Sequence, residues 1–232
     1  MATFVVAHGA WSAGWAWRKM HALMREKGHS LFTPSYTGLG ERSHLGSPSI
    51  GLNSHMQDIL MVLQFEDLRD IILVGHSYGG MVATGVAARA PERISKLVYL
   101  DAFVPKHGQR VFDFYPAGEE ERRRSSAIDG WKMPPSPLPP DTPPADAEWV
   151  APRRVHQPLA SFQEPLILDN GEPEVPRSYI YAQRHIPGDP FRQFFVRAKN
   201  EGWQVFEMDA SHSPHITAPE ALMEILDTIA RG

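Results

Sequence analysis

A serine set among glycines carries the most chemistry in this chain. Residues 75–80 read Gly75-His76-Ser77-Tyr78-Gly79-Gly80, a G-x-S-x-G pattern. A serine hydroxyl is a weak nucleophile until a neighbouring base takes its proton. The surroundings give the pattern its meaning. Ile71 to Val74 is an apolar run that reads as a buried strand, and Tyr78 to Arg89 reads as a helix full of small residues. A serine on the sharp turn between two such elements stands above the sheet edge, at a helix N-terminus that favours developing negative charge. Ala83, Gly85 and Ala87 would let that helix lie close to the sheet.

A base for Ser77 must come from a histidine after a late strand, if the chain order is serine, acid, histidine. His212 and His215 both follow the strand that ends at Met208. His212 is nearer the strand end and is the expected base. His215 lies close to the last helix, where it caps the helix or lines the pocket. His76 flanks the serine and should point away from it, into packing or a local hydrogen bond. His21, His29, His44, His55, His107, His156 and His185 read as surface or cap residues. Two backbone amides could hold a developing oxyanion. One is that of Ala10, in the His8-Gly9-Ala10-Trp11 turn that ends the first strand; the other is that of Tyr78, which follows the serine.

These groups need a scaffold, and the hydrophobic pattern supplies one. Strands are expected over Ala2–His8, Ser30–Thr33, Ile71–Val74, Leu97–Leu100, Ser178–Ala182 and Trp203–Met208. Helices are expected over Trp15–Lys27, Leu52–Phe65, Tyr78–Arg89, Pro190–Asn200 and Ala218–Ala230. The four glycines at 38, 40, 46 and 51 make residues 37–51 a loop. Alternating strand and helix implies an α/β fold with a mostly parallel six-stranded sheet covered on both faces. Residues 105–175 break the alternation. They hold prolines at 134, 135, 137, 139, 140, 143 and 144, which favour an extended backbone over helix. The division is therefore a core of residues 1–104 and 176–232, with 105–175 inserted as a mobile cap or lid.

Composition narrows the class. Of 232 residues, 42% are hydrophobic and 22% charged, which is globular composition and not that of a disordered chain. The net charge of -4 lacks the basic excess of a nucleic-acid binder. No apolar run approaches the ~18 residues of a membrane span. With no cysteine there is no disulfide, thiol nucleophile or cysteine-held metal. The first residues run straight into a strand without a basic, then apolar, leader, so the expected compartment is the cytoplasm. No H-x-x-x-H or H-x-H cluster marks a metal site, and His212-x-x-His215 alone has too few ligands.

With these motifs in place, the chain resembles the α/β-hydrolase superfamily, and within it the small-cap esterases that group with plant methylesterases and hydroxynitrile lyases. The resemblance is carried by Val6-Ala7-His8-Gly9-Ala10-Trp11 with Trp15 and Trp17, by Tyr36-Thr37-Gly38-Leu39-Gly40-Glu41-Arg42, by residues 75–80, by Tyr99-Leu100-Asp101-Ala102-Phe103-Val104-Pro105, and by Ser211-His212. It implies hydrolysis of small esters without metal or cofactor. The partner expected is a small-molecule ester, with no nucleic acid or membrane; a homodimer is an open alternative. Hydroxynitrile lyases have a lysine directly after the catalytic histidine, and here that residue is Ser213. The lyase reading loses its cation.

The acid departs from the commoner pattern. Many members place it after the strand that here is Ser178–Ala182, where this chain reads Gln183-Arg184-His185-Ile186-Pro187-Gly188-Asp189. His185 stands where an acid is sought, and Asp189 lies further on. Asp189 sits between Gly188 and Pro190 at the start of a helix, a position where aspartate caps. Asp101 instead ends the strand after the nucleophile's own unit, a position similar to that of the acid in haloalkane dehalogenases. A carboxylate there adjoins a buried strand and needs a partner, and His212 would be one. Asp101 is favoured.

Substrate choice is expected to lie with the cap. Trp11, Phe103, Tyr115, Trp131, Trp149 and Phe162, with His215, would build an apolar, aromatic pocket for a small or aromatic acyl group. The expectation is a serine esterase that works through an acyl-enzyme. Amide or carbamate hydrolysis on the same three residues is one alternative. A fold that binds a small ligand without turnover is another, because fold alone does not establish activity.

Overall fold

A computed structural model of the chain describes residues 1–184 and 189–232. Six parallel strands form one sheet in the order β2-β1-β3-β4-β7-β8. They are β1 (Thr3–Ala7), β2 (Ser30–Phe32), β3 (Ile71–His76), β4 (Ile94–Leu100), β7 (Arg177–Ala182) and β8 (Gln204–Met208). Their residues alternate between the two faces, as a pleated strand requires. Val5, Ala7, Leu73, Leu97 and Tyr99 join one buried cluster with α2 (Leu52–Phe65), α3 (Gly79–Arg89) and α7 (Arg192–Asn200). Phe4, Val6, Ile72, Val74, Val98 and Leu100 join another with α1 (Arg18–Glu26) and α9 (Pro219–Arg231). This is the doubly covered parallel sheet that the alternation implies.

The insertion differs from its sequence reading. Residues 105–175 carry three α-helices, α4 (Glu119–Ser125), α5 (Pro144–Val150) and α6 (Ala160–Gln163), two 3-10 turns (Val111–Phe114 and Ala151–Arg153), and an antiparallel pair, β5 (Lys132–Met133) with β6 (Gln157–Pro158). The proline argument holds for residues 134–143, which stay outside helix. It fails at Pro144, which opens α5, because proline is tolerated at the first helical position where its missing N–H is not needed. Nor is the whole segment a detached strap. Val111, Phe112, Met133, Leu159, Phe162, Leu166 and Leu168 are buried in the same cluster as α2 and α3. Smaller differences follow from local geometry. The first helix opens as a single 3-10 turn at Gly14–Trp17, and a short helix α8 (Pro214–Thr217) precedes α9. Among the described residues no helix is long and apolar enough to cross a membrane.

Candidate active site

Ser77 occupies the turn between β3 and α3 with φ 55°, a left-handed backbone that costs a non-glycine residue of order 1–3 kcal/mol. The neighbouring glycines make the turn possible. A Cβ on Gly79 would meet the Ala7 carbonyl at 1.9 Å, and one on Gly80 the Phe103 carbonyl at 2.1 Å. One on Gly75 would sit 2.9 Å from the Ala83 Cβ. The backbone is held from both sides: Ser77 N–H donates to the Leu100 carbonyl at 3.3 Å, and the Ser77 carbonyl accepts from Phe103 N–H at 3.2 Å. Thus β4 and its following residues brace the turn.

The histidine and the acid arrive from distant parts of the chain. His212 Nε2 lies 2.9 Å from Ser77 Oγ, and His212 Nδ1 lies 2.7 Å from Asp101 Oδ2. Asp101 is fully buried just beyond β4, and its Oδ1 accepts Ala182 N–H at 3.3 Å. A carboxylate can only accept, so Nδ1 of His212 carries the proton, leaving Nε2 as the acceptor for the Ser77 hydroxyl. Burial pushes His212 down to about 4, with Asp189 opposing that shift and Arg154 adding to it. The ring is therefore neutral at ordinary pH and able to take a proton. Phe191 stacks on it, with centroids 4.8 Å apart and planes at 10°.

Asp189 is engaged elsewhere. Its carboxylate accepts Phe191 N–H at 2.7 Å, Arg192 N–H at 3.2 Å and the Tyr181 hydroxyl at 2.9 Å. It ties down the start of α7, as its setting in the sequence suggested. His185, the other residue weighed at this position, lies outside the described residues.

Tyr78 directly follows Ser77, and Ala10 follows Gly9 in the loop after β1. A Cβ on Gly9 would meet Ser77 Cβ at 3.2 Å, so the loop after β1 is packed against Ser77. Among the described residues neither the Ala10 nor the Tyr78 amide donates to another protein group, whereas Trp11 N–H donates to Gln157 Oε1 at 3.0 Å. A tetrahedral intermediate needs N–H donors that are not already spent on the protein.

The residues expected to line the pocket divide into two groups. Trp11 and Phe162 meet at 5.8 Å, and Phe162 stacks on Tyr78 at 5.6 Å, which places both beside the nucleophile turn. Phe103 stands one layer back, against Phe191, Phe114 and Tyr115. Trp131 packs over Gly46 in the loop of residues 37–51. Trp149 and His215 are corrections. Trp149 packs edge-on to Trp15 and under the Arg18 guanidinium, in the cluster on the other sheet face. His215 is buried, stacked on Trp17 at 4.5 Å, because α8 turns its side chain inward.

Two histidines read as surface residues are also corrected. His29 and His55 are buried. His29 donates from Nε2 to Asp227, at 3.1 Å. His55 donates from Nε2 to the Thr37 carbonyl and accepts the Tyr78 hydroxyl on Nδ1 at 2.8 Å. His8, Tyr36 and His55 form a ring stack behind the nucleophile, with centroids 3.8 and 4.7 Å apart. The sequence carried no signal for Phe191, His55 or Gln157, since each acts on a partner that only folding brings near. A cleft of about 690 Å³ bounded by Lys96, Arg177 and Gln204 lies at the opposite, amino-terminal end of the strands and takes no part.

The fold and this constellation define an alpha/beta hydrolase. A family model described as alpha/beta hydrolase family matches residues 4–225, and the chain belongs to that family. A carbendazim hydrolyzing esterase from Nocardioides sp. (strain SG-4G) is 40% identical over 97% of this chain and 98% of its own. Putative methylesterase 11, chloroplastic, of Arabidopsis thaliana is 27% identical over 98% of this chain and 64% of its own. Among solved structures, an extracellular alpha/beta-hydrolase from Paenibacillus species superimposes with a TM-score of 0.84 at 28% identity. That match covers 97% of this chain and 98% of the other, and the Paenibacillus protein is described as homologous in structure and function to tobacco salicylic acid binding protein 2. The chain is a carboxylic ester hydrolase.

Proposed function

We propose that this esterase cleaves a small ester with an apolar or aromatic part through an acyl-enzyme on Ser77. His212 takes the Ser77 hydroxyl proton on Nε2 as Oγ attacks the carbonyl carbon. The carbonyl π electrons move to oxygen, where the amides of Ala10 and Tyr78 stabilise the oxyanion, at roughly 3 kcal/mol for each donor. Collapse breaks the bond to the alcohol oxygen, which leaves with the proton from His212. Water then attacks the acyl group, gives a proton to the same nitrogen, and the acid departs as that proton returns to Ser77. Asp101 holds the ring in its Nδ1–H form and stabilises the imidazolium between these steps.

One observation carries this reading: the continuous chain from Ser77 Oγ through His212 to Asp101, at 2.9 and 2.7 Å. The segment of residues 105–175 acts as the cap, placing Phe162 over the nucleophile turn and selecting the substrate. The 40% identical relative is named for hydrolysis of carbendazim, so that compound belongs in the assay panel beside methyl and p-nitrophenyl esters graded by acyl size. Ser77→Ala should abolish fluorophosphonate labelling and reduce turnover to background in a folded protein. Full esterase activity in that variant would end the proposal. The compartment is proposed to be the cytoplasm, checked by fractionating the source cells.

A further inference from the structure

We propose that Arg154 reads charge on the substrate, so that the enzyme prefers esters bearing a carboxylate at a second position, such as half-esters of small dicarboxylic acids. This rests on the assignment of Ser77 and His212 above.

Arg154 belongs to the cap, three residues before the Gln157 side chain that binds the Trp11 amide. The segment of residues 154–157 therefore lies against the loop after β1, which packs on Ser77 at Gly9. The Arg154 guanidinium carbon stands 5.8 Å from the Trp11 ring centroid, and that of Arg123 stands 5.2 Å from the same ring. Both arginines converge on Ser136. Arg154 Nη1 donates to its carbonyl, and Arg123 Nη2 to its hydroxyl at 3.0 Å. Their charges are not equally answered. Arg123 pairs with Glu119 at 2.8 Å, a carboxylate it shares with Arg122. Among the described residues no carboxylate lies within ion-pair reach of Arg154. The Arg154 charge beside Trp11 is thus left without a carboxylate of its own.

That charge is felt at the reacting centre. Arg154 disfavours protonation of His212, and its own burial draws its pKa down to about 10. A cation withdrawn from water without a counter-ion is costly, and a ligand carboxylate would relieve the cost. The guanidinium is suited to that task. It offers five N–H donors in a fixed fork, and the Ser136 carbonyl takes one nitrogen, leaving Nε and Nη2 to grip two oxygens. The aromatic walls, Trp11 and Phe162, would then hold the linking carbons.

The test compares kcat/KM for monomethyl glutarate with that for dimethyl glutarate, whose second carboxyl is neutral. The wild-type enzyme should prefer the half-ester, and added salt should raise KM for the half-ester alone. Arg154→Gln should lower the half-ester to diester ratio roughly 10- to 100-fold, the worth of a charged hydrogen bond, chiefly through KM. Arg154→Lys should retain part of the ratio. Arg154→Glu should shift preference towards methyl 4-aminobutanoate. The salt series uses wild-type protein, so it decides the matter even if a variant fails to fold. Turnover of the diester without preference for the half-ester, or an unchanged ratio in folded Arg154→Gln, overturns this inference and leaves the esterase reading standing. Failure to turn over either ester, with Ser77 unlabelled by a fluorophosphonate, removes both.

Discussion

His76 holds His212 by its backbone: Nε2–H of the His76 ring donates to the His212 carbonyl at 2.7 Å, across 136 positions of sequence. A carbonyl only accepts, so the proton sits on Nε2 and His76 is neutral, as its burial also requires. The residue before Ser77 therefore fixes the loop that carries His212. Both arms of the Ser77–His212 pair are anchored to the same end of β3.

His76→Phe keeps an aromatic ring but removes the donor. The His212 loop should then lose its register over Ser77, and a displacement of about 1 Å is enough to cost roughly 100-fold in turnover. The expected result is a fall in kcat with KM little changed, measured on a neutral methyl ester. His76→Gln, which restores a side-chain N–H, should recover part of it. Wild-type kcat in folded His76→Phe would show that the bond is incidental.

Asp101→Asn and Asp189→Asn should behave oppositely. Asparagine at 101 presents an amide to His212 Nδ1 and favours the wrong tautomer, at a cost of up to ~10⁴-fold in kcat. Asparagine at 189 keeps one acceptor oxygen for the Phe191 amide and loses the one that takes the Arg192 amide; since asparagine caps about as well as aspartate, melting temperature and kcat should change far less than at 101. A silent Asp101→Asn beside a crippled Asp189→Asn would reverse the roles.

Acid should inactivate this enzyme by unfolding it. Burial pushes His8, His55 and His76 down to about 3, and His215 well below its ordinary value. Unfolded, each protonates near 6.5, so between about 3 and 6.5 the unfolded chain binds more protons. Stability from these groups is complete above pH 6.5 and is lost as pH falls below it, by up to about 1.4 kcal/mol per unit for each ring. Four rings together exhaust a typical 5–15 kcal/mol within two to three units. That loss begins two units or more above the titration of His212 at about 4. Melting curves from pH 8 to 4, run beside kcat/KM, should fall together. Full activity loss while the melting temperature holds would point to His212 instead.

Gly79→Ala tests the packing that shapes the nucleophile turn. Its Cβ would meet the Ala7 carbonyl at 1.9 Å, and a backbone carbonyl in the middle of a sheet cannot give way cheaply. The expected loss is about 1–3 kcal/mol or more, which for a chain this size means roughly 2–4 °C of melting temperature per kcal/mol. A melting temperature within 1 °C of wild type, read by calorimetry, would contradict this account.

Local rules made much of this protein legible in the sequence. The helix Leu52–Phe65 falls where its periodicity placed it, and the six strands differ from their expected spans only at the ends. These elements answer to spacing within a few residues. The glycines around Ser77 are legible for the same reason, since the clashes they avoid lie along one strand-turn-helix. Tertiary structure decided what depends on distant meetings. It brought the Asp101 carboxylate to a ring 111 positions away. It sent Trp149 and His215 to the other sheet face, although an aromatic side chain reads alike in a pocket and in a core. It set Phe191 on the base and Arg154 over Trp11, because a loop's neighbours depend on how the whole chain closes around the sheet.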